Sequence, residues 1–177
     1  WGHAGAKALR RAVVRLTLMQ MTTGLRISEA LSLEWSEVTV ESGRVWITIL
    51  AEKSKTSKQR LVPVLVDEVA NRIITRKPEN NLGYVNSAPS NSQKMWDASN
   101  AHKNVKNLYK ELAQNCNVPL LETARSHVWR ATLNTLTVNV PEALRADLFG
   151  HSNTMNRSHY LDVGQAMKDA FEAKIDL

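Results

Sequence analysis

Thr23-Gly24-Leu25-Arg26-Ile27-Ser28-Glu29-Ala30-Leu31 joins two segments of helical pattern and puts a cation at the joint. Upstream of it, Leu9, Val13, Leu16 and Met19 to Met21 recur at helical spacing, with Arg10, Arg11 and Arg15 between them, which predicts a helix over residues 6–21. Gly24 is a suitable stop, because glycine takes the left-handed conformation without a Cβ penalty. A second, short helix is expected over residues 27–35, so Arg26 stands where the chain turns into a helix start. Unpaired backbone N–H groups and the positive end of a helix dipole collect at such a point, and both suit an anion.

Working outward, Glu41-Ser42-Gly43-Arg44 is turn chemistry, and the β-branched run Val45-Trp46-Ile47-Thr48-Ile49-Leu50 predicts a strand. Residues 53–58 form a polar, basic connector, and residues 60–64 read as the returning strand of a hairpin, with Pro63 marking a sheet edge. Helices are expected over residues 66–76, 102–116 and 123–137. Another follows from Pro141 to a stop at Gly150, and a last one over residues 164–175. Pro119 breaks the chain between two of them. Residues 80–92, rich in Asn, Ser, Pro and Gly, read as loop with a short strand at Tyr84-Val85, and residues 152–158 read as a turn. No repeat or long linker divides the chain, so residues 1–177 are expected to form one mainly α domain with a small antiparallel β-sheet.

The chain has 177 residues, 23 Lys and Arg against 17 Asp and Glu, and a net charge of +6. That balance favours a polyanionic partner without choosing one. No apolar run approaches the roughly 18 residues of a membrane span, so no membrane partner is expected. The single cysteine, Cys116, excludes an intrachain disulfide framework and fits a reducing, cytoplasmic compartment; it is expected to be a small buried hydrophobe. The chain opens Trp1-Gly2-His3-Ala4 with no signal-peptide arrangement, and is expected to be a fragment of a longer polypeptide.

Four residues toward the C-terminal end carry chemistry. His127-Val128-Trp129-Arg130 sets a histidine and an arginine three apart on an expected helix, so both project from one face. Gly150-His151 ends the next helix, and Tyr160 follows nine residues on. Each alone has a plain explanation: a solvated or salt-bridging helix face, a helix cap, a tyrosine in the core. Together with Arg26 they suggest phosphoryl transfer. Arginine offers a planar fork that matches two phosphate oxygens. Histidine can hydrogen-bond phosphate or move a proton near neutral pH, and tyrosine can be a covalent nucleophile once a neighbour takes its proton.

Residues 23–31 resemble the first arginine box of the tyrosine recombinases, the phage integrase family. His127-x-x-Arg130, Gly150-His151 and Tyr160 resemble the second box, in the same order and at similar separations. Lys55-Thr56-Ser57-Lys58-Gln59-Arg60-Leu61-Val62-Pro63 resembles the family's β-hairpin lysine segment. The family's lysine lies eight positions before the Val-Pro proline, which is Lys55 here, with Lys58 and Lys53 on the same turn as the alternatives. The likeness extends from about residue 10 to 170, and it implies the catalytic-domain fold of these DNA breaking-rejoining enzymes. Trp129, where the family usually has a smaller aliphatic residue, reads as a packing variation.

The resemblance implies the following roles. Arg26 and Arg130 grip the scissile phosphate, His151 adds a hydrogen bond to it, and His127 accepts the tyrosine proton. Lys55 protonates the departing 5′ oxygen. Tyr160 attacks and leaves a 3′-phosphotyrosyl link, so strand exchange and religation need neither metal nor ATP. No cofactor and no small-molecule substrate are expected, and the chain shows no Walker-type glycine loop. Glu29 is expected to brace the arginine box, although a solvated helix glutamate is the competing reading. Lys53, Lys58 and Arg60 are expected to track DNA phosphates. The implied partner is double-stranded DNA with a specific recombination site, bound by four protomers, each with a further DNA-binding module upstream. A type IB topoisomerase-like enzyme shares these residue types and would relax DNA without exchanging partners. A DNA-binding accessory protein that kept the fold and lost the chemistry is the third reading.

Overall fold

Helix α1 spans Gly2–Thr23, starting four residues before and ending two residues after its apolar pattern. Thr22 and Thr23 extend it by turning their hydroxyls back onto the carbonyls of Leu18 (2.9 Å) and Met19 (2.5 Å). Gly24 then ends it in the left-handed region (φ 65°), its N–H donating to the Gln20 carbonyl at 2.9 Å. The computed structural model describes residues 2–150. The expected turn at 152–158, the closing helix at 164–175, and with them His151 and Tyr160, lie outside the described residues.

Helix α2, Ile27–Ser32, is shorter than expected. Leu33 is extended (φ −68°, ψ 122°) because its carbonyl accepts from Val85 N–H and the Trp35 N–H donates to Gly83 O, each at 3.0 Å. Pairing with residues 83–85 thus replaces the last helical turn, and the short strand expected at Tyr84-Val85 is a single bridge between Tyr84 and Glu34. A 3-10 turn at Trp35–Glu37 leads into β1 (Val38–Glu41), a strand additional to those the sequence predicts. It forms because Ser42 (φ 51°) and Gly43 (φ 77°) make a two-residue hairpin turn that folds it onto β2 (Arg44–Ile49). β3 (Arg60–Pro63) returns antiparallel on the other side, with Ile47 opposite Val62. The order β1-β2-β3 leaves Pro63 on an edge strand, as its missing N–H requires.

Helix α3 spans Asp67–Arg76. The segment expected to be mostly loop holds a second hairpin, β4 (Ser87–Ala88) with β5 (Asn91–Met95). Every β5 residue is exposed, so its strand character left no apolar alternation to read. Helix α4, Ala98–Asn115, begins four residues earlier than expected because Asp97 caps it, accepting from Asn100 N–H at 2.8 Å. Pro119–Glu122 is a 3-10 turn. Helix α5 is Val128–Leu136, only the later part of the expected 123–137, and α6 is Glu142–Leu148 with Pro141 in the N-cap position. Cys116, at the end of α4, is exposed, which corrects the expectation of a buried hydrophobe.

Helix α1 packs against α2, α3, α4 and α5, while α3 covers β2 and α6 covers β3. Leu16, Leu25, Leu33, Trp46, Ile47, Tyr109 and Phe149 are fully buried between them. Burial of each such side chain contributes about 1.5–3 kcal/mol. Trp129 meets Tyr109 edge to face, with centroids 5.8 Å apart and planes at 88°, and so joins α5 to α4. No helix among the described residues is long and apolar enough to cross a membrane.

Candidate active site

The turn after α1 builds the first half of the site. Leu25 N–H donates to the Thr23 hydroxyl at 3.2 Å, which bends the chain so that Arg26 enters α2 extended (φ −63°, ψ 149°). Glu29, one turn into α2, accepts from the Arg26 backbone N–H at 2.8 Å through Oε2. Its Oε1 accepts from Arg26 Nη1 at 2.9 Å. The Glu29 side chain is 0% exposed, so it is not a solvated helix glutamate. Burial pushes its carboxyl up, but the hydrogen bond and charge of Arg60, with the bonds from Arg26, outweigh that and hold it below the usual carboxylate value.

Helix α5 brings the second half. Gln20, fully buried on α1, donates to the Leu25 carbonyl (3.2 Å) and the Ser126 carbonyl (3.3 Å), which sets the arginine turn against the start of α5. His127 takes the N-cap position and Arg130 lies one turn on, so the pair expected on one helix face straddles the helix start. Arg130 Nη1 donates to the Gly24 carbonyl at 2.7 Å, and its guanidinium carbon lies 5.7 Å from the Phe149 ring centroid. Its Nη2 is buried without a hydrogen-bond partner among the described residues. Burial and the Arg26 cation push Arg130 down to about 10, against the pull of Glu29. A bound anion would relieve both effects. Burial also lowers His127, as do the charges of Arg130, Arg26 and Lys55, with Glu29 opposing them. Burial and the charges of these three cations thus hold the imidazole toward its neutral form.

The lysine turn separates the three candidates. Lys53 Nζ donates to the Ser32 carbonyl (2.9 Å) and lies 3.0 Å from Glu34 and 2.8 Å from Glu37. Its donors are engaged inside the protein, which corrects the expectation that it tracks DNA phosphate. Lys55 is exposed, and its charge is felt at His127. Lys58 is half-buried, and its charge is felt at Asp147 of α6.

Arg60 is the larger correction. Its side chain is 2% exposed, so it does not reach a DNA backbone. Nη2 donates to Glu29 Oε2 at 2.7 Å, Nε to the Leu148 carbonyl at 3.2 Å, and Nη1 to the Ser54 hydroxyl at 3.4 Å. Strand alternation carried the signal: Arg60 shares an inward face with Val62, two positions on. Arg26 Nη2 lies 3.4 Å from the carbonyl of Gly150, the residue before His151. Arg26, Glu29, Arg60, Arg130 and the end of α6 thus form one cluster, and the charges of Arg26, Glu29 and Arg130, with that of Lys55, are felt at His127.

Three arginines around one carboxylate leave a net positive, partly buried site suited to a phosphodiester. The sequence model described as "Phage integrase family" matches residues 4–167. No curated protein and no solved structure matches the chain. The match takes in both arginine segments, the lysine hairpin and Tyr160, and the mainly helical fold with its small antiparallel sheets agrees with it. The chain belongs to the phage integrase family of site-specific recombinases, and residues 4–167 correspond to the tyrosine recombinase catalytic domain.

Proposed function

We propose that this chain is the catalytic domain of a site-specific DNA recombinase or integrase that cuts through Tyr160. The observation that carries the proposal is the buried Arg130 Nη2, which lacks a partner among the described residues in a cluster that also holds Arg26. A phosphate oxygen would satisfy it. Arg26 and Arg130 hold the non-bridging oxygens and stabilise the charge that grows in the five-coordinate transition state. The Tyr160 oxygen bonds to phosphorus while its proton passes to His127, whose depressed basicity keeps it unprotonated at neutral pH. The bond from phosphorus to the 5′ oxygen breaks, and the Lys55 ammonium supplies that oxygen with its proton. His151 adds a hydrogen bond to the phosphate. The product is a 3′-phosphotyrosyl link and a 5′ hydroxyl. A second 5′ hydroxyl reverses the step on a new strand, because the link conserves the bond energy.

Of the other two tyrosines, Tyr84 and Tyr109, the latter is a core side chain. It is 1% exposed, and burial pushes its hydroxyl up to about 12, so attack through it would require opening the core. The partner is double-stranded DNA carrying a recombination site, acted on in the cytoplasm by four protomers of a longer polypeptide with an upstream DNA-binding module. Lys58 is left as the peripheral contact to DNA phosphate.

A nicked suicide duplex carrying the site tests the proposal. The chain is expected to form an SDS-resistant covalent adduct that disappears with Tyr160→Phe and persists with Tyr84→Phe. An adduct that survives Tyr160→Phe would assign another nucleophile. Relaxation of plasmid DNA without exchange on any paired site would favour the topoisomerase-like reading.

A further inference from the structure

We infer that Arg60 is a positioning residue for the phosphate clamp, which by saturating Glu29 keeps Arg130 available to the scissile phosphate; this rests on the recombinase reading above. Glu29 Oε2 already accepts two hydrogen bonds, from Arg60 Nη2 at 2.7 Å and from the Arg26 backbone N–H at 2.8 Å. Arg130 Nη1 stands 4.0 Å from the same oxygen, in ion-pair range but beyond a hydrogen bond. In a site where Glu29 is wholly buried, an unsaturated carboxylate oxygen would draw the nearest cation strongly. Without Arg60 that cation is Arg130, which needs to close by only about 1 Å to pair with it. The clamp would then be spent on an internal carboxylate.

The shape of Arg60 supports the same role. Its three nitrogens serve three segments: Glu29 in the arginine box, Ser54 at the base of the lysine turn, and Leu148 at the end of α6. A Cβ built on Gly150 would come within 3.1 Å of Arg60 Nη1, so the residue before His151 lies directly against this guanidinium. One rigid fork therefore registers the lysine hairpin and the chain leading to His151 against the arginines. The donors sit on a planar frame, and lysine can replace only one of these bonds.

The test uses Arg60→Met and Arg60→Lys, each with Glu29 and with Glu29→Gln. Three quantities are read on each protein: the rate of covalent adduct formation at saturating suicide duplex, the melting temperature, and the affinity for inorganic phosphate. Arg60→Met is expected to slow adduct formation about a hundredfold, the scale of losing one transition-state donor. DNA affinity should stay within about threefold, since many other contacts share it. Arg60→Lys should recover most of the rate by pairing with Glu29. With Glu29→Gln in place, adding Arg60→Met should cost less than about threefold, because no carboxylate remains to capture Arg130. An equal cost in both backgrounds, or a Lys variant no better than Met while both remain folded, would overturn the inference. If Arg60→Met melts below the assay temperature, all four proteins are assayed at a temperature below its melting point, where the same criteria apply. If the unsubstituted chain forms no adduct, the recombinase reading fails and phosphate affinity judges the clamp separately. Weakening by Arg60→Met that Glu29→Gln reverses would uphold it, and unchanged affinity would overturn it.

Discussion

Arg130 Nη1 donates to the carbonyl oxygen of Gly24 at 2.7 Å, tying the second arginine of the site to the turn that presents the first. The same glycine cannot carry a side chain. Its φ is 65°, and a Cβ there would stand 2.6 Å from Cε1 of Phe149, the ring under the Arg130 guanidinium. Gly24→Ala is therefore expected to cost more than about 2 kcal/mol, combining left-handed strain with a clash, and to displace the clamp. Gly43→Ala is the control. Its φ is 77° with nothing within 4 Å, so it should cost about 1 kcal/mol and leave adduct formation unchanged. Thermal melting and the suicide-duplex assay on both variants check this.

The two lysines two residues apart should separate stability from chemistry. Lys53 holds the Ser32 carbonyl with Glu34 and Glu37, so Lys53→Ala should lower the melting temperature and leave cleavage largely intact. Lys55 is exposed, so Lys55→Ala should leave melting unchanged and suppress cleavage of ordinary DNA. A substrate with sulfur at the bridging 5′ position should restore that cleavage. A thiol is far more acidic than an alcohol, with a pKa of about 8.5, and leaves without a proton donor. Failure of the sulfur substrate to restore cleavage would remove Lys55 from the acid role.

How far these features could be read in the sequence depends on how local their causes are. The α1 stop, the hairpin turn at Ser42-Gly43 and the edge proline Pro63 rest on backbone preferences of single residues, and the structure keeps all three. The loss of the last turn of α2 depends on pairing with residues some fifty positions on, which no local pattern encodes. Arg60 and Lys53 look like any basic surface residues in a polar stretch. Their burial is decided by Glu29, Glu34 and Glu37, which reach them only through the fold. Arg26 and Arg130 were recognisable because their neighbours in the chain form motifs, although the Gly24 carbonyl that aims Arg130 was not.

Glu29 should make the fold acid-sensitive. Its carboxyl is held below the ordinary value of 4.5 in the folded protein, so the stability it contributes is present above that pH and is lost as pH falls through the lowered value. Glu29→Gln removes the buried charge partner of Arg26 and Arg60 and is expected to cost about 3–5 kcal/mol near neutrality. The gap between the two proteins should narrow on acidification, because the unsubstituted chain alone loses this contribution. Urea unfolding at a series of pH values measures the gap. A constant gap down to the lowest pH at which both fold would mean that the carboxylate's pairing is not what stabilises the cluster.

The proton acceptor should reveal itself in the pH dependence of the free protein. Burial, with the charges of Arg130, Arg26 and Lys55, lowers His127 from 6.5, so its imidazole is neutral at and below that pH until the lowered value is reached. The acid limb of adduct formation should accordingly have its midpoint below 6.5, with the rate rising as pH increases through it. Removing a neighbouring cation must act in the opposite direction. Lys55→Met should move the His127 titration, followed by NMR of the ring protons, upward toward 6.5, and Lys58→Met, whose charge is felt at Asp147, should move it less. If the acid limb stays put in His127→Gln, some other group takes the proton from Tyr160. If the limb disappears with that substitution while the His127 titration tracks it in the parent protein, the base is identified by both its kinetics and its own protonation.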